Sequence, residues 1–314
     1  MTSTAPAITS VPAAATTVSL GDVRKAYGDF VAVDRLSFAI PQGSIFGLLG
    51  PNGAGKTSTI RMMIGITMPD SGEVRMFGEP FRRAHLDRIG YLPEERGLYR
   101  KMTVLEQLTF FGELHGLARS EAGRRAQQWC ERLDLKDWTA KRVDELSKGM
   151  QQKVQFISAL LHDPDFVIMD EPFYGLDPVN ATLLKDVLLE QKKAGRTILF
   201  STHRMDQVEK LCDGICLVNH GKSVLQGSVK EVKARYGKRN VQINYEGDGS
   251  FLRSNALIET FNDYGNYVEA RLKPGVDSQD LLREVMSRVR VNRFELMEPS
   301  LEEIFIETVG KSNA

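Results

Sequence analysis

Apolar and polar positions alternate through 18–26 and again through 30–40, which predicts two strands joined as a hairpin. A short unbroken apolar run at 44–49 predicts a buried strand, and it leads directly into a glycine-rich segment. Beyond that segment the period changes: Ile60, Met63 and Ile64 share one face of a helix over 56–66. A further short strand over 88–92 is ended by Pro93. From 103 to 135 the pattern is helical, with Thr103 and Glu106 spaced as a capping box and a second helix starting at Ser120. The apolar runs 166–169 and 197–201 read as buried strands, separated by a helix over 181–193 that Gly195 stops. Strand and helix in alternation predict an α/β fold, a mainly parallel sheet with helices on both faces.

The pattern shifts near Tyr236-Gly237-Lys238. Beyond it Val241, Ile243 and Tyr245 alternate, as do Val268, Ala270 and Leu272. After Ser278 an amphipathic helix carries Leu281, Leu282, Val285, Met286 and Val289. A strand over 293–297 follows, and Ser300 with Glu303 caps a last helix that has Leu301, Ile304, Phe305 and Val309 on one side. This predicts a small α+β domain over 238–314, large enough to form its own core. There is no internal repeat and no second glycine-rich loop.

Composition narrows the classes. The 314 residues exceed one typical domain, and 42% hydrophobic with 26% charged residues is ordinary for a globular protein. The 41 basic and 41 acidic residues cancel, so the chain has no global footprint for nucleic acid. Three cysteines, Cys130, Cys212 and Cys216, are too few and too odd in number for a disulfide framework. Cys212 and Cys216 could face one another on a helical turn, but nothing completes a zinc site, and buried small hydrophobes are the default. The uncharged stretch 37–55 is broken by Pro41, Gly43, Gly47, Gly50 and Pro51, so it does not read as a membrane span. The Ala/Thr/Ser/Pro-rich segment 1–17 lacks a basic start and an apolar core, and reads as a disordered tail rather than a signal peptide.

The chemistry begins at Gly50-Pro51-Asn52-Gly53-Ala54-Gly55-Lys56-Thr57-Ser58. Strand, glycine loop and helix form the context a phosphate loop requires: successive N–H groups wrap phosphate oxygens, Lys56 reaches the β- and γ-phosphates, and the Thr57 hydroxyl meets Mg²⁺. Asp170, at the end of the strand at 166–169, would hold the same metal. Glu171 follows it and is the candidate general base that polarises an attacking water. His203, after the strand at 197–201, lies at the sheet edge where ligands collect, and a γ-phosphate contact is its expected role. His85, His115, His162 and His220 have no such context. A Ser147-Lys148-Gly149 turn opening a helix offers a hydroxyl and free N–H groups to an anion.

With Leu146-Ser147-Lys148-Gly149-Met150 between the phosphate loop and Met169-Asp170-Glu171-Pro172, the stretch 18–236 resembles the nucleotide-binding domain of ABC transporters. The resemblance implies a P-loop NTPase fold with an antiparallel β subdomain and a helical subdomain at about 95–160, within a domain spanning 18–237. It implies ATP with Mg²⁺ as cofactors. It places Tyr27 where the family stacks an aromatic ring on adenine, Glu94 at the Q-loop position beside the metal, and Ser147 and Gly149 in the signature. Asp177, in Gly175-Leu176-Asp177-Pro178, falls in the D-loop. Two departures stand out: Glu94 replaces the usual Gln, and Lys148 and Met150 depart from the commoner Leu-Ser-Gly-Gly-Gln. The stretches 91–99 and 299–307 are similar to the Nat-type sodium exporter ATPases and their drug- and antibiotic-exporting relatives, which carry a C-terminal accessory domain.

That resemblance implies an ATPase subunit. A second copy of the chain would complete an ATP-sandwich dimer, and a separate integral-membrane permease would couple through the cleft beside Glu94 to Tyr99. The apolar positions Leu98, Tyr99, Leu105, Phe110 and Phe111 lie near that cleft. The expected location is cytoplasmic, peripheral on the inner face of the cell membrane, with no nucleic-acid partner. The alternative, a soluble ABC-type ATPase acting on ribosomes or DNA, would normally bring two nucleotide domains or a coiled-coil insertion, and the sequence has neither. The C-terminal domain is expected to act in dimerisation or regulation.

Overall fold

The computed structural model describes residues 15–95 and 97–312, so most of the expected tail lies outside the described residues. Its last two positions do not belong to a tail: β1 (Thr16–Tyr27) already includes Thr16 and Thr17. The Thr17 hydroxyl is buried against that of Thr197 at 2.8 Å, which anchors the strand's start.

β1 turns through Gly28 into β2 (Phe30–Pro41), and the two pair antiparallel. β3 (Ile45–Leu49) is buried at every position, as an apolar strand flanked on both sides must be. It feeds α1 (Lys56–Met63), which ends before the expected residue 66 because Gly65 takes a left-handed φ of 69°. β4 (Ser71–Met76) and β5 (Glu79–Pro80) extend the antiparallel sheet, and β6 (Ile89–Leu92) follows. α2 (Val104–Leu114) starts at the Thr103–Glu106 capping box. α3 (Arg119–Arg132) is capped by Ala118, just before the expected Ser120, and α4 (Lys148–Leu160) is capped by Ser147. β7 (Phe166–Asp170) is fully buried. α5 (Pro178–Lys193) starts three residues earlier than expected, since Asp177 caps it and Pro178 suits a first helical position. β8 (Thr197–Thr202), α6 (Met205–Leu211), β9 (Gly214–Asn219) and β10 (Lys222–Ser228) complete the series.

One sheet has the order β2-β1-β4-β5, and the other β10-β9-β3-β8-β7-β6. In the larger sheet β3 lies parallel between β8 and β9, and β8, β7 and β6 continue in parallel. Phe38 of β2 stacks on Phe46 of β3 with centroids 5.6 Å apart. Around them Leu36, Ile40, Ile60, Met63 and Met76 form one fully buried core. The parallel strands end together, which sets Leu49, Asp170 and Thr202 along one edge.

The compact units divide between Gly227 and Ser228. α7 (Val229–Tyr236), which the sequence reading leaves in the first domain, therefore belongs to the second. A Ser228–Glu231 capping box starts it, and Tyr236 bonds Thr308 at 2.7 Å. β11 (Asn240–Glu246), β12 (Ile258–Asp263), β13 (Val268–Leu272), α8 (Ser278–Arg288), β14 (Arg290–Met297) and α9 (Leu301–Ser312) follow. The sheet order is β12-β13-β11-β14, antiparallel throughout. Val241, Ile243, Val268, Leu272, Leu281 and Val285 close its core, whereas Met286 is exposed on the outer side of α8.

Candidate functional site

The glycine-rich loop is held from behind. Gly50 has a φ of 151°, and a Cβ there would lie 2.2 Å from the Val218 carbonyl oxygen. Gly55 has a φ of 106°, and its Cβ would meet the Ala32 oxygen at 2.4 Å, so a side chain at either place would push the loop out of shape. The Gly221 N–H donates to the Ala54 oxygen at 2.9 Å and pins the loop from the β9–β10 turn. Gly55 has no side chain to cap α1, so the first N–H groups, of Lys56, Thr57 and Ser58, have no intrahelical acceptor and remain available to an anion. Pro51, Asn52 and Gly53 form the exposed crest of the loop and Ala54 its buried base.

Lys56 folds back over this loop, donating to the Gly50 and Pro51 oxygens at 2.8 and 3.1 Å. Burial pushes its ammonium below the usual lysine range, opposed by the negative charges of Glu171, Asp170 and Glu94. Asp170 is 2% exposed and accepts from Ser201 Oγ at 2.6 Å, with the Thr57 hydroxyl at 3.4 Å. Burial raises its carboxyl above the usual range, and the Ser201 bond and Lys56 act against that rise.

Glu171 has a left-handed φ of 50°, which costs a non-glycine residue about 1–2 kcal/mol. Its N–H donates to the Ser201 oxygen at 2.9 Å, which holds this conformation. The carboxylate is clamped at both oxygens: Thr202 Oγ1 donates to Oε2 at 3.0 Å, and the N–H and Nδ1–H of His203 donate to Oε1 at 3.0 and 2.7 Å. Since a carboxylate only accepts, His203 Nδ1 must carry a proton, and Nε2 can donate to a phosphate when the ring is doubly protonated.

The other expected residues are dispersed. Tyr27 ends β1 and is 45% exposed, and Lys25 Nζ lies 5.7 Å from its ring centroid. Glu94 is exposed in the bend after β6. The Ser147 hydroxyl accepts from the Met150 N–H at 3.3 Å as a helix cap, and its own O–H remains a donor for an anion. The N–H groups of Lys148 and Gly149 have no intrahelical acceptor. Asp177 caps α5: the Asn180 N–H, the Asn180 side-chain amide and, more weakly, the Val179 N–H donate to its carboxylate and lower it below the usual range. Tyr99 packs edge-on against Phe110 at 5.8 Å while staying half-exposed, and Leu98, Leu105 and Phe111 are partly buried.

Four site residues escape the sequence reading. Ser201 and Thr202 hold Asp170 and Glu171, and their signal is a pair of hydroxyls at the end of an otherwise apolar strand. Gln152 and Gln155 are polar residues on the buried face of α4, and their amides donate to loop carbonyls. The cysteines do not share a helical turn: Cys212 ends α6 and Cys216 lies in β9. Burial raises the Cys130 and Cys216 thiols to about 12. Among the described residues no group of three or more metal-ligating side chains forms, and no helix is long and apolar enough to cross a membrane. His115 and His162 stack with centroids 3.7 Å apart, and His162 Nε2 bonds the Ile89 oxygen at 3.1 Å.

The ABC transporter family pattern matches residues 33–174, and the pattern of the C-terminal domain of DrrA1-3-like ATP-binding proteins matches 227–309. The chain is 45% identical over 293 residues to YhaQ, an ABC transporter ATP-binding protein of Bacillus subtilis (strain 168), covering 93% of this chain and 98% of that one. It is 40% identical to the Nod factor export ATP-binding protein I of Paraburkholderia xenovorans (strain LB400), covering 94% and 97%. Identity to the linearmycin resistance ATP-binding protein LnrL of Bacillus subtilis (strain 168) is 31%, covering 93% and 97%. A solved ATP-binding subunit of an ABC transporter superposes with a TM-score of 0.66 at 31% identity, covering 71% of this chain and 94% of that one. The loop that can wrap phosphates, the acidic pair beside it and these likenesses agree: the chain belongs to the ATP-binding ATPase subunits of ABC transporters, with a DrrA-like C-terminal domain.

Proposed function

We propose that the chain hydrolyses ATP at the edge formed by Lys56, Asp170, Glu171 and His203, and that closing and reopening a dimer around ATP drives export through a separate membrane permease. The observation that carries this reading is the clamp on Glu171. Thr202 and His203 fix both carboxylate oxygens of a residue whose backbone is held left-handed. A carboxylate held in this way can accept a proton from a water that attacks the γ-phosphate. Lys56 and the first N–H groups of α1 would bind the phosphates, and His203 Nε2 would meet the γ-phosphate. Tyr27 would stack on adenine.

The donor set suits a hard cation: the Thr57 hydroxyl and the Asp170 carboxylate are oxygen donors close together, with Glu94 adding charge nearby. Mg²⁺ bound there would neutralise charge building on the phosphates.

A second copy of the chain would bring Ser147, Gly149 and Asp177 to the nucleotide held by the first. Tyr174 and Val179, 71% and 79% exposed on either side of the Gly175–Pro178 turn, give that face apolar surface to bury. The aromatic cluster at Tyr99, Phe110 and Phe111 would receive the permease, placing the chain on the inner face of the cell membrane. Relatives named for Nod factor export and linearmycin resistance favour a small-molecule cargo over sodium. The C-terminal unit would serve dimerisation or regulation. In Glu171→Gln, turnover should fall at least a hundredfold while ATP binding persists, and unchanged turnover would refute the assignment of the base.

A further inference from the structure

α4 touches two loops that bear catalytic candidates, and it does so through side chains one turn apart. Gln152 is 6% exposed, and its Nε2 donates to the Pro172 oxygen at 3.1 Å, directly after Glu171. Gln155 is 3% exposed, and its Nε2 donates to the Pro93 and Glu95 oxygens at 3.3 and 3.1 Å, on either side of Glu94. All three acceptors are backbone carbonyls, so the helix grips the course of each loop rather than one rotamer. The helix also lies hard against β6, the strand that leads to Glu94: a Cβ on Gly90 would meet the Ala159 oxygen at 1.9 Å. Burying two amides on an apolar helix face is costly unless they bond, and Gln155 Oε1 has no partner even so. Packing alone would favour apolar residues at both positions.

We propose that Gln152 and Gln155 are positioning residues that pass the placement of the Ser147–Gly149 helix start to Glu171 and Glu94 of the same chain. The proposal rests on the reading above, in which that helix start binds the nucleotide held by a second copy. ATP at one site of the dimer then sets the carboxylates that act at the other site. Coupling of this kind makes hydrolysis cooperative in ATP, with a Hill coefficient approaching the number of sites.

The test is steady-state hydrolysis by the full chain, wild type against Gln155→Met and, separately, Gln152→Met, which keep length and lose the donor. Wild type should give a Hill coefficient near 2, and each variant one near 1 with kcat down about tenfold. ATP affinity measured on the monomer should be unchanged in both, and Gln155→His, which restores an N–H donor, should recover part of the cooperativity. Variants that lose thermal stability yet keep the Hill coefficient would show a merely structural role and overturn the proposal. Two variants protect the test against a single folding failure. If wild-type chains fail to dimerise with ATP in light scattering, the shared-site reading falls and takes this proposal with it. If they dimerise and hydrolyse cooperatively but the variants match them, only this proposal falls.

Discussion

The stacked pair His115–His162 makes the first unit sensitive to mild acid in a window that can be worked out. His162 Nε2 faces the Ile89 oxygen, which can only accept, so Nε2 carries the proton and Nδ1 is bare. Nδ1 is buried without a partner, and a proton there would meet no acceptor. Burial, then the neighbouring His115 ring and, more weakly, the Arg125 charge push the imidazole down to about 4, and the Ile89 bond and Asp163 oppose them. His115 is lowered too, by burial against the pull of Asp87. The unfolded chain binds a proton at about 6.5. Between about 4 and 6.5 the unfolded state therefore holds more protons, so stability is full above this window and falls as pH falls through it. From pH 7 to pH 5, His162 alone should cost about 1–2 kcal/mol, after discounting for its partial exposure. Both tryptophans, Trp129 and Trp138, lie in the helical region that this pair joins, so urea unfolding followed by their fluorescence reads the right part of the molecule. The midpoint should drop at pH 5, and His162→Phe, which can stack but cannot titrate, should lose most of that drop. Equal midpoints at the two pH values, or a full drop in His162→Phe, would refute the argument.

Two further substitutions probe the site and its scaffold. Ser201→Ala removes a 2.6 Å bond to the buried Asp170 carboxylate, worth about 1.5–3 kcal/mol for a charged group, so half-saturating Mg²⁺ in the ATPase assay should rise roughly 10- to 100-fold. Gly90→Ala forces a Cβ to within 1.9 Å of the Ala159 oxygen, so α4 and β6 must part, and calorimetry should show a loss of about 3 kcal/mol, a fall in Tm of roughly 5–10 °C.

The parts of this protein that read directly from sequence are the locally determined ones. Thr103 and Glu106 satisfy each other three residues apart, and the glycines of 50–55 announce a backbone that only glycine tolerates. β3, β7 and β8 are buried on both faces, so their apolar runs need no partner to be recognised. What stayed hidden depends on distant pairing. β4 carries only Val74 and Met76 as buried positions, and it becomes a strand because β1 lies beside it. β10, with no fully buried position, follows the same logic. Asp177 carries a local role as well as the remote one the sequence suggests: its carboxylate caps α5. The bond from His203 to Glu171 spans 32 residues, and no periodicity reports it. Gln152 and Gln155 disappear into an amphipathic pattern that classes them as exceptions.

The pin from Gly221 to Ala54 bears on the order of synthesis. β3 leaves the ribosome early, yet its neighbours in the sheet are β8 and β9, and β9 ends at Asn219. The phosphate loop also leans on Val218 and on the turn at Gly221. A nascent chain of fewer than about 220 residues therefore lacks the braces that shape this loop, although the loop itself has long been made. Long-range closure of this kind is slow relative to local helix formation. The braces of the phosphate loop are therefore complete only when the first unit is almost entirely translated.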